Sequence, residues 1–272
     1  MKTEEKYFAW VDAAYASLSG PALRERLQEL TEQAREEYGE SSGIYAAMLN
    51  EWGGYCRGQR VLSEAECAFR QSLAIVGRNE GERSTSYATT LNNLAGVHRL
   101  MERWEEAEQE FRVCLGIYRA SVGEKHILYA SALNNLSLVY LDKAMLEKAA
   151  QCLSQAQEIL QAIPGCEEEL ATSYGNLAVL YREMGSPEKA ERLLRKALCL
   201  YEGKLGTRTP HYHAALYELG LVCRSQEHWK EAAEKLSEAA AAAEKLYGPD
   251  HPETRAAKEQ AVVCRRMAEG RQ

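Results

Sequence analysis

The chain has 272 residues, and its 33 basic and 40 acidic side chains give a formal net charge of −7. This acidic balance argues against a nucleic-acid-binding protein, which normally carries a basic stripe, whereas the 46% share of hydrophobic residues is typical of a chain that folds. The first residues lack the apolar core of a signal peptide, and no stretch has the roughly 18 apolar residues needed to cross a bilayer. We therefore expect a soluble, cytoplasmic protein, of a length that would fit two ordinary domains.

Residues 4–38 are predicted to form a degenerate helical hairpin with a Ser-Gly-Pro turn between its two helices. Trp10 falls in the first helix, and the second carries leucines at the spacing of one helical face, Leu23, Leu27 and Leu30. Proline is tolerated at helix starts and excluded from helix interiors. Because all six prolines lie beside Gly, Ser, Thr or His, we expect many helices and little or no sheet.

Five similar segments follow, and their first residues are separated by 42, 42, 41 and 42 residues. These first residues are Leu49, Leu91, Leu133, Tyr174 and Leu216. Counting from them, position 3 is always large and apolar, position 4 is always small, and position 16 is always alanine. Spacings of 3, 4 and 7 place residues on one helical face, so each repeat is predicted to be a hairpin of a helix A and a helix B. The predicted repeats span residues 44–81, 86–123, 128–163, 169–206 and 211–248, with glycines closing helix B at Gly123, Gly206 and Gly248.

One further helix is predicted over residues 252–269. Its apolar stripe consists of Ala257, Ala261, Cys264 and Ala268, with charged side chains such as Arg265 and Arg266 off the stripe. Such a helix is typical of the cap that covers the last exposed face of a helical array. We therefore predict that residues 1–272 form a single all-α array of about six hairpins plus a capping helix.

Three segments resemble a known family. They are a helix A segment, Leu91-Asn92-Asn93-Leu94-Ala95, a helix B segment, Trp104-Glu105-Glu106-Ala107-Glu108, and an inter-repeat linker, Leu246-Tyr247-Gly248-Pro249-Asp250-His251-Pro252. The pattern is similar to the tetratricopeptide repeat (TPR) in its 42-residue type, as in kinesin light chains and many bacterial proteins. The resemblance covers residues of about 44 to 248. It implies a right-handed superhelical solenoid whose helices A line the concave face.

Asparagines recur at two positions of helix A outside the columns assigned to the core. Position 2 carries Asn93, Asn135 and Asn176, and position 1 carries Asn92 and Asn134. Asparagine is only a middling helix former, and its amide can both donate and accept hydrogen bonds. The family resemblance implies that the ladder of asparagines at position 2 holds the main chain of a bound peptide. The alternative is that these amides bond to neighbouring helices within the protein.

Position 8 is arginine in four of the five repeats, Arg57, Arg99, Arg182 and Arg224. Arginine forms bidentate bonds to carboxylates, so this column could receive acidic side chains or the carboxyl terminus of a partner. The alternative is that these arginines pair with acids at neighbouring positions and are merely solvated. Those acids are Glu51, Asp142, Glu183 and Glu218.

Position 5 changes character along the chain, from Gly54 and Gly96 in the first two repeats to Leu138, Val179 and Leu221 in the others. An apolar strip beside polar columns would suit a ligand with aliphatic or aromatic anchors. The alternative is that these three side chains complete the core.

No pattern predicts a catalytic or metal site. The eight cysteines show no Cys-x-x-Cys spacing and are expected to be small buried residues in a reducing compartment. His126, His211 and His251 follow helix-ending glycines and are expected to serve the start of the next helix. Phosphate-binding glycine loops and the common hydrolase motifs do not occur. We predict a protein that is not an enzyme and that needs no cofactor and no metal.

The leading hypothesis is a scaffold for protein–protein interaction that binds an extended peptide or protein segment in its concave groove. The alternative is an intracellular regulatory receptor for a small signalling peptide. A third hypothesis is self-assembly through an apolar end face near Trp10 or through a weak cap, although we expect a monomer. Neither nucleic acid nor membrane is expected as a partner.

Overall fold

A computed structural model describes residues 3–207 and 209–270, with side chains from Lys6 onward. Within these ranges the chain forms thirteen α-helices and a short π-helical segment, and no strand. The helices are α1 (Thr3–Ser17), α2 (Gly20–Tyr38), α3 (Gly43–Gly58), α4 (Leu62–Glu80), α5 (Thr85–Leu100), α6 (Trp104–Ser121), α7 (Ile127–Asp142), α8 (Leu146–Gln161), α9 (Glu167–Glu183), α10 (Pro187–Leu200), α11 (Pro210–Ser225), α12 (Trp229–Tyr247) and α13 (Pro252–Glu269), with the π-helical turns at Tyr201–Leu205. The predicted all-α repeat fold is confirmed.

The chain divides into two compact parts, unit 1 (Met1–Ala132) and unit 2 (Leu133–Gln272), and the division falls within α7. In unit 1, α1 to α6 pack each on the next, and α3 also contacts α5. In unit 2, α8 to α13 do the same, and α9 also contacts α11. Odd-numbered helices are therefore helices A and even-numbered helices are helices B. The single array over residues 1–272 stays a prediction, and residues 1–2, 208 and 271–272 lie outside the described ones.

Close contact between helix A and helix B depends on the small residue at position 4. A Cβ atom on Gly53 would lie 2.9 Å from the ring of Phe69, and one on Gly220 would lie 2.5 Å from Cγ of Leu236. Phe69 and Leu236 both occupy position 20 and are fully buried. The core of each hairpin thus forms where a large helix B side chain meets the backbone of helix A.

The turn inside each hairpin places position 11 in the left-handed region of backbone conformation. The residues there are Arg60 (φ 60°), Glu102 (φ 62°), Ala144 (φ 54°), Gly185 (φ 69°) and Glu227 (φ 62°). At the other end of helix B, the predicted closing glycines are confirmed, with φ of 89°, 87° and 96° at Gly123, Gly206 and Gly248.

The linkers supply caps for the following helix A. Nδ1 of His126 accepts a hydrogen bond from the amide of Leu128, and Nδ1 of His251 accepts one from the amide of Glu253. These two histidines serve the next helix start, as predicted. His211 does not, because it lies inside the first turn of α11, which the side chain of Thr209 caps.

The cysteine prediction needs a correction. All eight cysteines are free, and five of them are buried, but Cys67 and Cys199 are exposed on helices B. Burial raises the pKa of the Cys56 and Cys223 thiols to about 12, which keeps these two groups protonated at neutral pH.

Candidate binding surface

In unit 1, two predicted site residues are already engaged by the protein. Nδ2 of Asn93 donates a hydrogen bond of 3.1 Å to Oδ1 of Asn50, so the amides of α5 and α3 are linked. The guanidinium of Arg57 lies over the backbone of α5, with Nη1 3.0 Å from the place that a Cβ on Gly96 would occupy. Asn92 and Arg99 are partly buried on α5. For Asn93, the structure shows the bonding to a neighbouring helix that the alternative interpretation describes.

In unit 2, the three asparagines of the predicted binding site differ in accessibility. Asn134 is only 3% exposed, so its amide lies inside the protein and is not presented to a ligand. We therefore correct its placement and leave it out of the binding set. Asn135 and Asn176 are partly buried. The amide of Asn176 forms no hydrogen bond with any residue that the structure describes, which leaves it available to an incoming main chain.

The arginine column of unit 2 pairs forward along the chain. Nε of Arg182 donates to Oε2 of Glu218 at 3.0 Å, and Arg182 also lies 2.9 Å from Glu183. Nη1 of Arg224 donates to Oε1 of Gln260. Burial raises the pKa of the Glu218 carboxyl, and the Arg182 guanidinium partly offsets this effect. A ligand carboxylate at Arg182 would have to compete with Glu218.

These two contacts follow one rule that we did not predict. If the numbering is extended by 42 residues, Lys258 is the first residue of a helix A formed by α13, and Gln260 takes its position 2. Arg182 and Glu218, like Arg224 and Gln260, are 36 residues apart and join position 8 of one helix A to position 2 of the next. The constant separation was the signal in the sequence that could have revealed the pairing.

The apolar strip at position 5 is partly accessible in unit 2. Leu138, Val179 and Leu221 are all partly buried, and Leu221 also packs against the core. Val263 holds the same position in α13 and is 47% exposed. Val263 was not among the predicted site residues, because α13 was predicted to be only a cap.

A charged cluster lies between hairpins in unit 1, centred on the fully buried His98. Its Nδ1 lies 2.7 Å from Oε2 of Glu110, and its Nε2 lies 3.2 Å from Oε1 of Glu66. Glu66 also pairs with Arg103 at 2.9 Å and with Arg70 at 2.8 Å. Burial alone would lower the pKa of His98, but the carboxylates of Glu110 and Glu66 outweigh it and raise that pKa. Burial alone would raise the pKa of Glu66, but its cationic neighbours lower it to about 2.

The same cluster brings one atom each of His98, Glu106 and Glu110 within 4.8 Å of one another, a spacing that a metal ion could bridge. Each ring nitrogen of His98 lies within hydrogen-bond distance of a carboxylate oxygen, and a carboxylate accepts hydrogen bonds. An imidazolium satisfies both carboxylates at once, and a protonated Nδ1 cannot bind a metal. We interpret the cluster as an imidazolium between two carboxylates and assign no metal to it.

Among the described residues, no helix combines the length and the apolar character needed to span a bilayer.

Family models described as "Tetratricopeptide repeat" match residues 86–162, 145–203 and 214–253, together more than half of the chain. A protein from Arabidopsis thaliana, KINESIN LIGHT CHAIN-RELATED 2, is 27% identical over 116 residues, which are 43% of this chain and 18% of that protein. The matched part of this chain therefore spans less than a fifth of the length of that relative.

Two solved structures share the fold over most of the chain. BtubC (BKLC) from P. vanneervenii is 18% identical, with a TM-score of 0.56 over 89% of this chain and 91% of that one. NprR in complex with its cognate peptide NprX is 14% identical, with a TM-score of 0.70 over 100% of this chain and 78% of that one. The fold implies a role in protein–protein interaction. The chain belongs to the tetratricopeptide repeat family, and its repeats resemble those of kinesin light chain-related proteins.

Proposed function

We propose that the protein is a non-enzymatic scaffold that binds an extended peptide or protein segment along its helices A. The observation that carries this proposal is on α9 in unit 2. Asn176 is partly accessible and its amide bonds no other described residue, and Val179 lies one helical turn away at position 5. Gly175 beside them has open space where a Cβ would be. An amide, an aliphatic side chain and a gap for backbone are what an extended peptide needs.

The arginines that an acidic ligand would use already have contacts within the protein. Arg182 and Arg224 already hold Glu218 and Gln260, and Arg57 lies against α5. We therefore propose main-chain and apolar recognition as the principal contribution, centred in unit 2 on Asn176, Asn135 and the position 5 side chains of Leu138, Val179 and Leu221. In unit 1, Asn92 and Arg99 offer the same kinds of polar group. The arginines act first as links between helices A.

The test uses a displayed library of random twelve-residue peptides, selected on the whole chain, followed by calorimetry with the winning peptide. Asn176→Ala is expected to weaken binding about tenfold, which corresponds to a lost hydrogen bond in a partly desolvated site. Gln155→Ala is the matched control, because it removes an exposed amide from α8, a helix B of the same unit. Equal affinity of Asn176→Ala, Asn135→Ala and the unmodified chain would contradict the proposal.

A second candidate function is a receptor whose shape responds to a peptide. It is favoured by the likeness to NprR in complex with its cognate peptide, which covers the whole of this chain. Small-angle scattering with and without the selected peptide separates the two functions. A scaffold keeps its radius of gyration, whereas a receptor of this kind changes it. No change would count against the receptor.

A further inference from the structure

Exposed large hydrophobic side chains concentrate on the first and the last helix. Among the described residues they are Phe8, Tyr15, Val113, Met184, Val262, Val263 and Met267, of which only Val113 and Met184 lie outside α1 and α13. Apolar exposure of this kind indicates a face that another surface covers, and α13 is the clearest case because it carries three of these side chains.

The outward stripe of α13 combines apolar side chains with unused positive charge. The α13 face is the name used for this stripe, which is formed by Arg255, Glu259, Val262, Val263 and Arg266. These residues recur at spacings of 3 and 4 and so share one side of the helix. Val262 and Val263 are 42% and 47% exposed. The guanidinium groups of Arg255 and Arg266 form no ion pair or hydrogen bond with any described residue.

The other basic residues of α13 are already engaged. Lys258 pairs with Glu244 at 2.7 Å, and Arg265 donates to Oγ of Ser237 at 3.0 Å. Arg266 also occupies position 8 of α13, where Arg182 and Arg224 each bond to position 2 of the following helix A. No described helix A follows α13, so Arg266 is the arginine of this column whose forward partner is missing from the described chain.

The outward stripe of α1 has the opposite character. The α1 face is the name used for this stripe, which is formed by Ala9, Asp12, Ala13 and Ala16. All four residues are exposed and are separated by 3 and 4 residues, so they share one side of the helix. Its small side chains leave room for large ones, and Asp12 pairs with no described cation. Trp10 is not part of this face, because Lys6 and Arg26 already lie over its ring at 4.5 and 6.0 Å.

The two faces match in charge as well as in size. Asp12 gives the α1 face a charge of −1. Arg255 and Arg266, with Glu259 between them, give the α13 face a net charge of +1. The valines and arginines of one face thus correspond to the alanines and the aspartate of the other.

We propose that copies of this protein associate end to end, with the α13 face of one copy packed on the α1 face of the next. Val262 and Val263 pack against Ala9 and Ala13, while Arg266 pairs with Asp12. Because the two faces differ, the contact is heterologous and leaves a free face at each end of every dimer. One pair of helix faces buries less than the roughly 1,200 Å² of stable complexes, so the association is weak and depends on concentration. This inference does not depend on peptide binding.

The test is sedimentation velocity of the full chain from about 5 to about 500 µM, a range suited to weak association. The weight-average sedimentation coefficient is expected to rise with concentration. Val263→Glu blocks the α13 face and Ala13→Arg blocks the α1 face, and each variant alone is expected to stay monomeric. Their equimolar mixture is expected to form a one-to-one dimer and nothing larger, because each variant keeps one intact face. Val113→Glu is the matched control, since Val113 is 45% exposed on α6 and lies on neither face.

Exchanging the charges of one ion pair distinguishes specific association from non-specific hydrophobic association. Arg266→Glu is expected to weaken association about tenfold, and addition of Asp12→Arg to the same chain is expected to restore it. Circular dichroism checks that each variant is folded. A sedimentation coefficient that does not depend on concentration overturns the proposal. So does a Val263→Glu variant that associates as well as Val113→Glu, or a mixture of the two blocked variants that stays monomeric.

Discussion

At the scale of single residues, the hairpins depend on glycines at which helix A and helix B are too close for a larger side chain. Gly220 is the sharpest case, because a Cβ there would lie 2.5 Å from Cγ and 3.3 Å from the backbone nitrogen of Leu236. Leu236 is fully buried and belongs to the core of unit 2, so it has little freedom to move aside. Gly175 lies in α9 of the same unit, and nothing lies within 4 Å of the place of its Cβ.

We therefore expect Gly220→Ala to lower the free energy of unfolding by about 1–3 kcal/mol, the usual cost of overpacking a core. Gly175→Ala, the control, is expected to leave stability unchanged or raise it by up to about 1 kcal/mol, because alanine is the better helix former. Urea unfolding followed by circular dichroism measures both. Equal stability of the two variants would show that helices A and B do not meet closely at position 4.

At position 4 the sequence carries the signal of the close helix contact, because only small residues occur there. Other residue-scale features could not be predicted from the sequence. Asn134 was predicted to be accessible because its column lies outside the core columns, yet it is 3% exposed. Which face of a helix is covered depends on how neighbouring helices tilt, and a repeat pattern contains no information about that tilt.

At the scale of helices, buried histidines connect elements and respond to pH in opposite ways. His98 links α5 to Glu66 of α4 and Glu110 of α6, and its pKa is raised. His213 of α11 is 3% exposed, and burial lowers its pKa, although Glu253 at 3.3 Å opposes the effect. The first histidine is stabilised as a cation and the second as a neutral ring.

The sign of each pH dependence follows from these shifts. The contribution of His98 is fully present below the unfolded-state pKa of about 6.5 and is lost as pH rises through the higher folded-state value. The penalty from His213 appears as pH falls below about 6.5, so that histidine favours folding at higher pH. Each slope is at most about 1.4 kcal/mol per pH unit. We expect His98→Gln to abolish the loss of stability above pH 6.5, as measured by urea unfolding at a series of pH values.

His213→Gln serves as the opposite control and is expected to abolish only the loss below pH 6.5. Titration of the imidazole Cε1 protons by NMR gives both pKa values directly. If His98 titrated below its ordinary pKa of about 6.5, its role as an imidazolium between carboxylates would be wrong.

Part of this cluster could have been predicted. Position 7 and position 15 lie across the hairpin turn from each other, and their residue types change together. Cys56 pairs with Glu64 and His98 approaches Glu106, whereas Tyr140 and Tyr181 lie under the ammonium groups of Lys148 and Lys189. The separation of eight residues is visible in the sequence. Glu66, by contrast, comes from the preceding hairpin, and long charged side chains can reach several partners that spacing alone does not distinguish.

At the scale of the whole molecule, each repeat packs mainly on its neighbours, so a destabilising substitution should affect only the helices near it. In a repeat protein, each hairpin is stabilised by its own packing and by the interfaces with the adjacent hairpins. Gly220→Ala is therefore expected to speed amide hydrogen exchange in α9 to α13 of unit 2 and to leave α2 to α5 of unit 1 unchanged. Hydrogen exchange with mass spectrometry measures this. An equal acceleration in both units would contradict the division at Leu133.

The ion pairs between successive helices B have a consequence for how such a chain can evolve. Arg70 reaches Glu106 of the next repeat at 3.7 Å, and Arg195 reaches Glu231 of the next repeat at 2.7 Å, so position 21 pairs with position 15 one repeat later. Position 15 is lysine in two other repeats, at Lys148 and Lys189. Moving one of those repeats behind Arg70 or Arg195 would set two like charges against each other. The charges at positions 15 and 21 therefore restrict the order of the repeats. A duplicated or shuffled 42-residue segment would be tolerated only at junctions where these two positions carry opposite charges.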